Sequence, residues 1–170
     1  ELGDRVAPHS YRILKKDCLD LPDKVYTKRE VELSDEQKKA YGEMKANAMA
    51  VLKGQSMTAV NVLTQLIRLH QITCGHMKTD SSEIFDLKNN RLDELIQILG
   101  ETSGKVIIWA NYIHDIEAIE KMIKKEFGDE SCCTYYGATA TEDRQKCINK
   151  FQDPHSKLRF FIGNTQTGGY

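Results

Sequence analysis

The sequence predicts an α/β protein: a partial parallel sheet with flanking helices, preceded by an N-terminal helical insertion. Three observations lead there. From residue 91 onward, amphipathic helical patterns alternate with short apolar runs, an order that right-handed crossovers turn into a parallel sheet. Residues 34–75 read as two helices with no strand between them. Each apolar run in the second half ends in a short loop of small or polar residues, as strand-to-helix connections do. The expected division is a leading segment and helical part over 1–90 and an α/β core over 91–170, forming one structural unit.

Val25 to Leu33 alternates Val25, Thr27, Arg29, Val31 and Leu33 against polar neighbours and Tyr26, and this period of two predicts a half-buried strand. Ser34 with Gln37 three residues on is a capping-box pattern that opens a helix, and Tyr41, Met44, Ala48 and Val51 form its apolar face. Lys53-Gly54-Gln55-Ser56 breaks it. A second helix is predicted from about Thr58 to Thr73. Leu63, Leu66, Ile67 and His70 share one face, Val62, Leu69 and Ile72 add apolar surface elsewhere, and burial on more than one side is expected. Gly75 to Asn90 is a polar connector in which Ile84 to Leu87 can be a short strand or a hairpin arm.

Leu92, Leu95, Ile96 and Leu99 then mark an amphipathic helix. Val106 to Ala110 is a continuous apolar run, the pattern of a parallel strand buried on both faces, which puts Trp109 in the core. Ile113 to Phe127 repeats at helical spacing and stops at Gly128. Ser131 to Tyr136 is a second strand and Gly137-Ala138-Thr139 a turn. Thr139 with Glu142, or Thr141 alone, can cap a helix carrying Cys147, Ile148 and Phe151 that ends at Asp153-Pro154. Leu158 to Ile162 is the third strand, running into a Gly-rich loop from Asn164 to Gly169.

The formal charge is -1, so any nucleic-acid contact must come from local arrangement rather than from a global positive field. Five cysteines form no CxxC pair, which predicts reduced thiols and an intracellular setting, and Cys74-Gly75-His76 lacks a standard zinc spacing, so no metal site is expected. There is no apolar run long enough to cross a membrane. Also absent are a GxxxxGK[ST] phosphate loop and an Asp-Glu pair after a strand that could hold magnesium, so no catalytic residue is assigned. In open α/β sheets ligands bind beyond the carboxyl ends of the strands. Three loops lie there: Asn111-Tyr112, Gly137-Ala138-Thr139, and Asn164 to Gly169. Their hydroxyls, amides and glycine backbone suit phosphate.

Five blocks in order resemble the Swi/Snf-type helicase-like proteins. They are Leu21-Pro22-Asp23-Lys24 with Leu33-Ser34, Gln37 and Tyr41; Leu63 to Arg68 leading to Cys74; Lys105 to Trp109; Tyr136 to Thr139 with Arg144 and Phe151; and Phe161 to Gly169. Trp109-Ala110-Asn111 stands where the family usually has Phe-Ser, and Asn164 and Thr167 stand for its Ser and Ala. The resemblance implies the second, C-terminal RecA-like lobe of an ATP-driven double-stranded DNA translocase. It also implies an N-terminal RecA-like lobe as partner, ATP and magnesium as cofactors of the whole protein, and a fragment inactive alone. Thr165, Gly137, Thr139 and Asn111 would contact the DNA backbone, Gly168 and Gly169 would face the nucleotide, and Arg144 would be structural. The match implies a chain that stops inside the fifth motif, able to self-associate through a bare sheet edge. With no appended chromatin-reading segment in the sequence, an intracellular place in the cytoplasm or nucleoid and a bacterial or phage source are expected. The alternatives are a lobe of an RNA-acting two-lobed ATPase and a non-catalytic interaction module with the same fold.

Overall fold

The computed structural model describes all residues except 1, 12, 15–17, 21, 55–58, 80, 169 and 170. The chain divides into two compact units, Glu1–Glu30 and Val31–Tyr170. The first holds a short helix, α1 (Leu2–Val6), and a 3-10 turn, Ala7–His9. The strand expected over Val25–Leu33 does not form. Residues 22–34 take no regular structure, and Val25 and Tyr26 are 84% and 87% exposed. Alternation makes a strand only where a second strand supplies the ladder, and among the described residues no strand pairs with these.

The second unit begins with helices α2 (Asp35–Gly54) and α3 (Ala59–Cys74), which pack against each other. The capping box forms as read: the Gln37 N–H donates to Ser34 Oγ at 3.1 Å, and the Ser34 N–H donates to Gln37 Oε1 at 3.1 Å. Gln37 does more than the motif asks. Its side chain is buried, and Nε2 donates to the carbonyls of Ile72 at 2.8 Å and Thr73 at 3.3 Å, satisfying acceptors that the end of α3 leaves open. One glutamine thus caps one helix and ties it to the end of the next.

The expectation that α3 is buried on more than one side is overturned. Its C-terminal end is buried at Gln71 and Ile72, but Leu63 and Leu66 stand 58% and 57% exposed, with Ile67 at 43%. Among the described residues α2 and the following hairpin make its main contacts, and its first half keeps one apolar face open. That hairpin is β1 (His76–Lys78) and β2 (Ile84–Asp86), antiparallel, and it confirms the expected hairpin arm.

The remainder alternates as predicted: α4 (Arg91–Glu101), β3 (Val106–Ala110), α5 (Ile113–Phe127), β4 (Cys132–Tyr135), α6 (Thr141–Gln152), β5 (Phe160–Asn164) and a single helical turn, α7 (Thr165–Gly168). The three strands form a parallel sheet in the order β3-β5-β4, so the last strand inserts between the first two. On one face Leu99 of α4 and Ile116, Ile119 and Ile123 of α5 pack onto Ile108, Ala110, Cys132, Phe160 and Ile162. This is the main core. On the other face α6 covers β4 and β5, where the rings of Phe151 and Phe161 lie 5.5 Å apart.

Beyond α6 that second face is open, which corrects the reading of β3 as buried on both sides. Ile107 and Trp109 are 52% and 48% exposed. Trp109 is therefore not a core residue; its ring lies across Gly163, where an added Cβ would come 2.6 Å from Cζ3. The indole needs the space that only glycine leaves.

Three further readings change. Thr139 and Thr141 do not cap α6: the N-cap is Ala140, with no side-chain bond. The Gly-rich loop after the third strand is shorter than expected, because β5 runs on to Asn164 and α7 starts at once. Cys133 of β4 and Cys147 of α6 are joined as a disulfide, against the expectation of reduced thiols. The expectation counted CxxC pairs, whereas the partners sit 14 residues apart and meet only through the β4–α6 packing. Among the described residues no helix is long and apolar enough to cross a membrane.

Candidate phosphate-binding edge

Because all three strands are parallel and in register, their carboxyl ends lie along one edge. Ala110 pairs with Asn164, and Tyr135 pairs with Gly163. The residues that follow are Asn111, Thr165, and Tyr136 with Gly137, side by side at roughly 5 Å strand spacing. Asn111, Thr165 and Gly137 are exposed. The fold thus assembles loops that are far apart in sequence, and three of the four predicted backbone-contact residues face solvent together.

The loops are held from beneath by two polar side chains. Arg144, half-buried on α6, donates Nε to the Thr139 carbonyl at 2.9 Å and Nη2 to the carbonyls of Tyr136 and Gly137 at 3.2 Å each. Its guanidinium also lies 5.5 Å from the centre of the Tyr135 ring. A fork of donors fixed on three carbonyls of one turn sets the shape of residues 136–139 and leaves a positive charge under it. Arg144 is thus structural, as read from the sequence.

Asn164 does the same for the other pair of loops. Its side chain is buried, donates Nδ2 to Ala110 O at 3.2 Å and Asn111 O at 2.9 Å, and accepts the Gln166 N–H on Oδ1 at 2.9 Å. It caps α7 and bridges to the end of β3. Sequence reasoning missed this role. The signal was present in the departure of Asn164 from the usual Ser, but only the register of β5 beside β3 gives that amide its partners.

The four candidate contacts are not equivalent. Thr165 Oγ1 lies 3.5 Å from Asn111 Oδ1 and is otherwise open to solvent. Gly137 has neither a positive φ nor a crowded Cβ position, so the fold itself does not demand glycine there, and its backbone can be approached closely. Thr139 is already engaged: its hydroxyl accepts the Tyr136 N–H at 3.1 Å and donates to Thr134 O at 3.4 Å, while its own N–H donates to Tyr136 O at 3.0 Å. Gly168 closes α7, and Gly169 lies outside the described residues.

A second polar cluster sits where α3, the β1–β2 hairpin and the start of α5 meet. His70 Nδ1 lies 2.8 Å from the Tyr112 hydroxyl, and His114 Nε2 lies 2.6 Å from Asp86 Oδ1. The buried His76 has Nδ1 3.1 Å from Asp115 Oδ1, in an orientation that closes no hydrogen bond. Burial pushes the Cys74 thiol and the Tyr112 phenol up from their ordinary values, so both stay protonated near neutrality. Among the described residues no three His, Cys, Asp or Glu side chains converge as metal ligands.

With this geometry in view, the relatives are informative. Residues 87–169 match the helicase conserved C-terminal domain. The chain is 24% identical, over 99% of its length, to protein CHROMATIN REMODELING 4 of Arabidopsis thaliana, and 25% identical, over 95%, to the SWI/SNF chromatin-remodeling complex subunit snf22 of Schizosaccharomyces pombe. It spans only 8% and 10% of those proteins. Its fold is similar to part of the Sulfolobus solfataricus SWI2/SNF2 ATPase core domain, with a TM-score of 0.69 at 23% identity, covering 96% of this chain and 35% of the other. The same core solved in complex with double-stranded DNA gives 0.66 at 23% identity, over 96% and 36% of the two chains.

Proposed function

We propose that this chain, which belongs to the Swi/Snf-type helicase-like proteins as a C-terminal lobe, holds double-stranded DNA by its phosphates at the β3-β5-β4 edge and supplies one wall of an ATP cleft. The observation that carries the proposal is the convergence of exposed Asn111, Thr165 and Gly137 on one edge, each set by a buried or half-buried polar clamp. Hydroxyl, amide and backbone N–H donors with a fixed cation beneath suit phosphate oxygens and read no base. A relative with the same fold is solved on double-stranded DNA, which supports duplex DNA over RNA as the ligand.

Within this reading the roles divide by availability. Thr165 and Asn111 donate from their side chains and Gly137 from its backbone. Thr139 shapes the turn that presents Gly137, since its own groups are occupied. Gly168 would face the nucleotide cleft, where a missing Cβ allows close approach to a phosphate, and Gly169, outside the described residues, is assigned the same role from the sequence. The edge loops carry no lysine and no carboxylate pair, so magnesium and the triphosphate charge would be held chiefly by an N-terminal RecA-like lobe. Bound there, ATP would supply the hydrolysis that drives one lobe past the other. Residues 91–170 form the lobe core in this account, and residues up to 90 a leading segment and helical protrusion.

In an ATP-hydrolysing protein carrying this lobe, Thr165→Ala lowers DNA-stimulated turnover more than it weakens ATP binding. The loss is about 1.5–3 kcal/mol for one hydrogen bond to a charged phosphate. Steady-state phosphate release with and without duplex DNA measures it, and unchanged DNA stimulation would refute the assigned contact.

A further inference from the structure

We infer that Asn164 is the positioning residue of this edge, coupling Asn111 and Thr165 so that they meet the DNA backbone as a pair. The inference rests on the DNA reading above and goes beyond it by naming the group that organises the contacts without touching the ligand.

The chemistry of the amide makes the case. Nδ2 carries two N–H groups, and both point at carbonyls of the β3 end, Ala110 O at 3.2 Å and Asn111 O at 2.9 Å. Oδ1 faces the Gln166 N–H at 2.9 Å. The opposite rotation of the amide would set an oxygen against two carbonyls and an NH2 against an N–H, so the orientation is fixed by its partners. The side chain is 8% exposed and out of reach of a ligand at the surface. Each neighbour it holds precedes or is followed by a surface residue: Asn111 on one strand end, Thr165 between Asn164 and Gln166 on the other. Their side chains stand 3.5 Å apart, with Thr165 Oγ1 donating to Asn111 Oδ1.

No smaller or differently charged residue reproduces this. Serine has one hydroxyl, which can accept from the Gln166 N–H or reach one carbonyl but cannot span to both strands. Aspartate would place a negative charge against two carbonyl oxygens. Asparagine supplies two donors and an acceptor in a plane at the right length. The turn over Tyr136–Thr139 has its own clamp in Arg144, so the two halves of the edge are organised independently.

The test uses the 170-residue chain and a fluorescent duplex of random sequence, with affinity measured across a sodium chloride series. Asn164→Ser, which changes no charge, is expected to weaken binding about tenfold and to leave the slope of log affinity against log salt unchanged, because that slope counts phosphates neutralised by Lys and Arg and the contacts Asn164 places are uncharged. Thr165→Ala should then cost little more in the Asn164→Ser background, while Thr139→Ala keeps its full effect, because contacts placed by a common residue do not add. A merely structural role would lower the melting temperature yet leave the Thr165→Ala loss the same in both backgrounds. If Asn164→Ser does not fold, Asn164→Gln, which keeps the amide but displaces it by a methylene, serves with the same expected loss. Salt-dependent binding by the unaltered chain with a Thr165→Ala loss undiminished in the Asn164→Ser background overturns the positioning role alone. Absence of duplex binding by the unaltered chain overturns the DNA reading and the positioning role with it.

Discussion

Strand β5 and helix α3 are both rich in large apolar side chains, yet the fold treats them in opposite ways. Every residue of Phe160–Asn164 is buried. In α3, Leu63 and Leu66 remain more than half exposed. The difference lies in what surrounds each segment. β5 has a strand on either side and helices above and below, so both ladder edges and both faces are used. α3 has α2 on one side and a two-stranded hairpin at its end. Apolar content identifies a segment that profits from burial. Topology decides how much of that burial it receives.

The comparison breaks most readily at Phe160. Its ring is fully buried, 4.9 Å from the ring of Phe127 and 4.7 Å from the Arg159 guanidinium. Phe160→Ala should lower unfolding free energy by about 3–5 kcal/mol, and denaturant titration measures it. Next comes the tie between β4 and α6. Reducing the Cys133–Cys147 bond should cost about 3 kcal/mol, the entropy of a loop of this length, seen as a lower melting temperature with added dithiothreitol. A Cys147→Ser variant should show no such response to reductant.

The helical part offers the smaller effects. Gln37→Ala removes the reciprocal cap of α2 and leaves the end of α3 without its donor, a loss of about 1–3 kcal/mol. Leu66→Ala, on the open face of α3, should change stability by no more than about 0.5 kcal/mol. A cost near that of Phe160→Ala would mean that α3 is covered in solution by something the chain alone does not show, and the contrast between the two regions would fail.

Much of this was legible in the sequence because local rules carried it. Ser34 and Gln37 announced their capping box, and the alternation after Arg91 announced a parallel α/β unit with its loops at one edge. What was not legible depended on neighbours distant in sequence. The Val25–Leu33 alternation had no partner strand to realise it. Trp109 looked like a core residue because its strand is apolar throughout, but helix coverage stops short of it. Cys133 and Cys147 are on different elements and are brought together only by packing. At the candidate site the residue positions were readable, whereas their availability was not. That Thr139 spends its hydroxyl inside the turn, and that Asn164 links two strand ends, follow from register rather than from any motif.

The central claim is that the edge formed by Asn111, Gly137 and Thr165 meets the DNA backbone while the open face of α3 does not. Backbone amide exchange of the chain, followed with and without saturating duplex DNA, tests it most directly. The account predicts slowed exchange on DNA addition at 111–112, 136–139 and 164–168, with residues 62–67 of α3 unchanged. Protection confined to α3 or the hairpin, with all three strand-end loops exchanging as before, would contradict it.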